Sequence, residues 1–115
     1  DDFVPKFELQ HSGFLWKDVT NDIFTAIKEL FEAAVSQPPP RGICHSPQSR
    51  AMYGVDLLLA WETSPTGQKI IQPKICEVNF APDCTRACKY HPSFANDVFS
   101  VLFLDETQDR RVVAL

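Results

Sequence analysis

Apolar residues recur at helical spacing through Ile23, Phe24, Ile27, Leu30, Phe31 and Ala34, while Lys28, Glu29 and Glu32 fall on the opposite side. The pattern predicts a helix over residues 20–36, with Asp18 or Thr20 as its N-cap. Pro38-Pro39-Pro40 stops it, because proline has no N–H to donate and restricts the residue before it. Residues 1–16 show no such period. Phe3, Val4, Phe7 and Leu9 are scattered around Pro5, which predicts irregular chain with a short extended stretch, and Phe14-Leu15-Trp16 forms an apolar knot before the helix.

After a loop over residues 37–49, residues 50–61 are almost continuously apolar and residues 70–80 form a second such run. Between them Glu62-Thr63-Ser64-Pro65-Thr66-Gly67-Gln68 has turn chemistry throughout, so the pair reads as a β-hairpin. Ala81-Pro82-Asp83-Cys84 is a turn, followed by a basic stretch with Arg86 and Lys89. A second helix is expected over residues 92–104, with Pro92 in its first turn and Phe94, Val98, Val101 and Leu102 along one side. Val112-Val113-Ala114-Leu115 reads as a short strand or a frayed tail. The expected class is α+β: an antiparallel hairpin or small sheet packed by two main helices.

Composition changes this picture little. The 115 residues have the length of one small domain or of a piece of a larger one, and Asp1-Asp2-Phe3 reads like the middle of a longer protein. The hydrophobic fraction of 44% is too high for disorder. A net charge of −4 with no basic cluster gives no reason to expect nucleic acid as a partner. No apolar run reaches the roughly 20 residues of a membrane span. The four cysteines (Cys44, Cys76, Cys84, Cys88) stand in a chain without secretory features, so reduced thiols and a cytoplasmic location are expected.

Two acids conflict with the strand pattern. Asp56 interrupts an apolar run that reads as buried on both faces, and Glu77 sits between Ile75-Cys76 and Val78. A lone buried carboxylate costs several kcal/mol unless it is paired or binds a cation. Side chains alternate along a strand, so Glu77 and Asn79 share one face, about 7 Å apart. If the hairpin closes over a two-residue turn at Thr66-Gly67, Asp56 falls directly opposite Glu77, with Cβ atoms roughly 4.5–5.5 Å apart. Three oxygen ligands then converge, a set that suits Mg²⁺. A bulge would shift this register by one residue. The alternative is that one acid pairs with Arg50 or Lys74 and the other lies exposed at a sheet edge.

Read whole, Tyr53-Gly54-Val55-Asp56-Leu57-Leu58-Leu59, a turn, and Ile75-Cys76-Glu77-Val78-Asn79-Phe80-Ala81-Pro82 resembles the tubulin–tyrosine-ligase-like family over most of the chain. That family carries an aromatic-Gly-x-Asp strand, a hairpin, and a Glu-Val-Asn-x-x-Pro strand end. The resemblance implies the C-terminal lobe of an ATP-grasp domain, incomplete on its own, with Asp56, Glu77 and Asn79 as ligands of Mg²⁺ and so contacting ATP. It also implies tubulin as partner, a cytoplasmic or microtubule-associated location, and a reaction in which ATP phosphorylates a carboxylate and an amine then attacks to form an amide. The second functional expectation is a non-catalytic pseudo-ligase that acts by interaction and regulation. A longer hairpin loop, bulky Phe80, and Asp83 in place of a serine depart from the family pattern and bear on ligase activity more than on metal binding. No Gly-rich phosphate loop is present, so the chain alone is not expected to catalyse a reaction.

Weaker signals compete. Cys84-x-x-x-Cys88-x-x-His91, with Cys44-His45 nearby in sequence, has loose zinc spacing, but ordinary thiols after a turn are the favoured reading. Cys88 with His91 or His45 has the residue types of a nucleophile pair without other support. Arg86 and Lys89 can meet an acidic peptide or simply be solvated, and the Pro38–Pro40 run is foremost a helix stop, with an aromatic groove in a partner as the other use.

Overall fold

The computed structural model describes residues 2–115. Its elements in order are α1 (Phe3–Gln10), α2 (Trp16–Val35), β1 (Tyr53–Thr63), β2 (Lys69–Phe80), α3 (Thr85–Tyr90) and α4 (Phe94–Leu104), with β1 and β2 forming a two-stranded sheet. The class is therefore α+β, as expected. The chain divides into two compact units, Asp1–His45 with Val55–Glu77, and Ser46–Gly54 with Val78–Leu115. Among the described residues no helix is long and apolar enough to cross a membrane.

In the first unit the N-terminal segment is helical, not irregular. Pro5 falls in the first turn of α1, where its missing N–H costs nothing. Phe3 and Phe7 stack one turn apart, and both meet the edge of Trp16, at ring separations of 5.0 and 5.3 Å. This tertiary contact holds a helix too short and too weakly patterned to be read from spacing. It also explains why α2 starts at Trp16 and not at residue 20. The Trp16 N–H is taken by Glu8 Oε1 at 2.9 Å, so a side chain from α1 replaces the local cap. Thr20 bonds back to the Trp16 carbonyl inside the helix, and Asp18 lies in the first turn, where its charge favours the dipole. The predicted α2 face is half-buried along Ile23, Phe24, Ile27, Leu30, Phe31 and Ala34, and Val19 at 4% exposure is the one buried apolar residue among those described.

The strands differ from expectation in two ways. First, they are not buried on both faces: Leu58 is 66% exposed and Trp61 is half covered, with His11 and Phe14 against its ring edges and Lys69 Nζ 4.0 Å from its centroid. Second, the turn is longer. Ser64 N–H donates to Gln68 O (2.8 Å) and Gly67 N–H to Ser64 O (2.9 Å), which closes a three-residue loop, Pro65-Thr66-Gly67. Gly67 takes the left-handed conformation (φ 82°) that such a loop needs at its last position.

The second unit is anchored at the hairpin base. Ala81 N–H donates to Met52 O (3.2 Å), the rings of Tyr53 and Phe80 are 5.6 Å apart, and Arg50 Nε reaches the Leu102 carbonyl (3.0 Å) at the end of α4. The predicted basic stretch is a short helix, α3. Its start is set by Asp83, whose Oδ1 accepts from both the N–H (2.9 Å) and the hydroxyl (2.7 Å) of Thr85. These bonds hold the Asp83 carboxyl below the usual carboxylate range, the hydroxyl contact contributing most. Pro92 lies in the connection before α4, which begins at Phe94 with Ser93 as N-cap. Residues 105–115 form no strand. They turn back after Asp105 adopts the left-handed conformation, and Arg110 pairs with buried Asp97 at 3.3 Å.

Candidate functional site

The sequence singles out Asp56 on β1 and Glu77 and Asn79 on β2, and the structure puts all three on the strands predicted for them. Asp56 and Glu77 belong to the first unit, and Asn79, two residues further along β2, to the second. All three are exposed, so the burial cost that first marked the acids is not incurred within this chain. What distinguishes them is their donor chemistry. Of the two cations named beside them, Lys74 Nζ lies 2.9 Å from Glu62 and 2.8 Å from Gln72, and the Arg50 guanidinium donates to the carbonyls of Leu102, Pro47 and Ser49.

Register decides which residue faces Asp56. Counted from the Ser64–Gln68 pairing, the position opposite Asp56 is Cys76; counted from the Met52–Ala81 pairing, it is Glu77. β2 thus carries one residue more than β1 between turn and base, the signature of a bulge. The Tyr53–Phe80 contact fits the base's register, so the extra residue lies between Gln68 and Phe80. The premise of a two-residue turn at Thr66-Gly67 is therefore incorrect.

Gly54 and Pro82, both part of the motif, are partners in the structure. A Cβ on Gly54 would stand 2.8 Å from Pro82 Cβ, closer than real side chains approach, so glycine here lets the two strand ends meet. Their spacing in the sequence gave no hint of this contact. Asp83 was legible only as a turn residue, although Asp-x-Thr is the pattern in which a carboxylate bonds two residues on.

The competing sites do not assemble. Among the described residues no three of His, Cys, Asp and Glu come close enough to hold a metal ion, so Cys84, Cys88 and His91 make no zinc site. Cys84 Sγ contacts the Pro82 carbonyl (3.3 Å), and His91 Nδ1 faces Arg111 (3.3 Å) and not Cys88. All four cysteines are free thiols. Arg86 and Lys89 flank the exposed ring of Tyr90, at 6.0 and 5.8 Å from its centre. For a hard cation the test is the donor set. Two carboxylates and a carboxamide, oxygen donors only and open to water, fit Mg²⁺, which keeps part of its hydration shell.

Comparison with known proteins gives these residues a context. The model of the tubulin-tyrosine ligase family matches residues 1–113. Tubulin–tyrosine ligase-like protein 12 of Mus musculus is 55% identical over 115 residues, all of this chain and 18% of the relative, and that of Homo sapiens is 54% identical over the same extent. The protein of the same name from Caenorhabditis elegans is 39% identical, with 17% of its length covered. No solved structure matches the chain. The chain thus spans less than a fifth of the curated relatives it matches, and it belongs to the tubulin-tyrosine ligase family.

Proposed function

We propose that this chain supplies the magnesium end of an ATP site, in the C-terminal lobe of an ATP-grasp domain of a protein that modifies tubulin or regulates its modification. The observation that carries this reading is the family match over residues 1–113, with Gly54-Val55-Asp56 on one strand and Glu77-Val78-Asn79-Phe80-Ala81-Pro82 on the other. The strand pair supports it further. Half-buried and exposed positions alternate along β2 up to Ile75, after which Cys76 and Glu77 are both exposed. We assign the extra residue to that step, where a bulge turns Glu77 to the side of Asp56. Gly54 and Pro82, both part of the motif, pack together within the second unit, which also supports the reading.

Asp56 and Glu77 would hold the cation with their negative charge and Asn79 with a neutral carbonyl oxygen. Bound magnesium supplies neutralisation of phosphate charge. The two carboxylates would supply the charge that retains the cation, and Asn79 would add an oxygen donor without adding charge.

The test uses the full-length protein. Mg²⁺-dependent ATP binding is measured by calorimetry, and labelled amino acids are offered together with tubulin. Asp56→Asn and Glu77→Gln should each weaken Mg²⁺-dependent binding by about tenfold or more, roughly 1.4 kcal/mol per tenfold. Ligation that disappears in Glu77→Gln identifies a ligase. Binding without ligation identifies a regulatory pseudo-ligase that keeps the nucleotide. Absence of nucleotide binding in the unaltered protein would sink the proposal.

A further inference from the structure

Away from the strands, the second unit holds a cleft of about 250 Å³ lined by His91, Phe94, Asp97, Val98, Arg111 and Val112. Phe94 and Val98 lie one turn apart on α4, and Val112 comes from the C-terminal segment, so much of the lining is apolar. Two of its polar groups are already committed. Buried Asp97 accepts from Ser93 Oγ (2.9 Å) and from Arg110 Nη1 (3.3 Å). His91 Nδ1 lies 3.3 Å from Arg111 Nη1, a guanidinium nitrogen that can only donate. Arg111 differs from both. Among the described residues no carboxylate pairs with it, and its bond to His91 uses a fraction of its donors.

The geometry points to a binding site for a small apolar carboxylate, its acid group held by Arg111 beside His91 and its body packed on Phe94, Val98 and Val112. Guanidinium and carboxylate match as planar, two-pronged partners. The volume suits one side-chain-sized group, being below the roughly 300–1,000 Å³ of sites for larger ligands. A free amino acid fits poorly. Its ammonium needs an anionic neighbour, and Asp97, the one carboxylate in the lining, is neutralised by Arg110. The ligand is therefore an acid with no charged amine beside its carboxylate. Such a group is found on a free monoacid and at the C-terminus of a peptide. None of the residues that line it is a proposed magnesium ligand.

The test is ligand-observed fluorine NMR of para-fluorophenylpropanoate with the full-length protein. Its signal should broaden on addition of protein and sharpen again when unlabelled phenylpropanoate is added, but not with phenylpropanamide or phenylalanine. Arg111→Gln should weaken binding about tenfold or more, and Val98→Phe, which adds bulk to the lining, should abolish it. Circular dichroism of each variant shows that it is folded, and ATP binding should be unchanged in both. A short peptide ending in an apolar residue with a free carboxylate separates the two sources. Displacement by it assigns a chain end, whereas displacement by the monoacid alone assigns a free acid. The proposal is overturned if no broadening occurs, if the amide or phenylalanine competes equally well, or if folded Arg111→Gln binds as before.

Discussion

Gly54 shows how a single atom can be decisive. Its backbone lies against the Pro82 ring so closely that one methyl group has no room. Gly54→Ala should therefore destabilise the protein by on the order of 1–3 kcal/mol, read as a lower urea midpoint, because overpacking forces backbone movement. Asp56 lies two residues along the same strand, so the change should also weaken Mg²⁺-dependent nucleotide binding without removing any ligand. Asp83 takes part in another local arrangement. Its carboxylate is engaged by Thr85 at the start of α3.

Among the elements, α3 should respond to pH through that carboxylate. Its folded pKa is depressed, so its stabilising effect is present above the ordinary carboxylate pKa and is lost as pH falls through the lower, folded value. The Thr85 amide resonance should follow this titration in the acid range and show none in Asp83→Asn. The long, periodic α2 and the two strands were legible because each repeats its signal over several turns or pairs. α1 was not, since Trp16 and Glu8 hold it from outside its own sequence. α3 spans only Thr85–Tyr90, too few residues for a period to show. The residues of the candidate site were legible as chemistry, yet their register was not. Pro65-Thr66-Gly67 suits a three-residue loop as well as Thr66-Gly67 suits a two-residue one, and side-chain types in β2 do not announce an extra residue.

Across the whole molecule, apolar surface is left open: Leu58 on β1, and Phe99, Phe103 and Leu104 on α4, are each more than half exposed. The chain covers 18% of its mouse relative, so stability is best probed in the full-length protein. Within the second unit the C-terminal segment depends on Arg110, which joins buried Asp97 to Glu106 at 3.3 and 3.2 Å. Arg110→Ala leaves Asp97 without its cation, at a cost of about 1–3 kcal/mol given the partial exposure of the pair. Amide exchange in residues 105–115 should rise as the segment detaches, and unchanged protection would show that other contacts hold it.

The two units also differ in their optical properties. Trp16 and Trp61 are both in the first unit, packed among Phe3, Phe7, His11 and Phe14, whereas Tyr53 and Tyr90 are in the second. From this stretch of the protein, tryptophan emission reports the first unit, because both indoles lie there. An unfolding curve followed by indole fluorescence therefore follows the surroundings of Trp16 and Trp61, while the loss of Arg110 is read from amide exchange in residues 105–115.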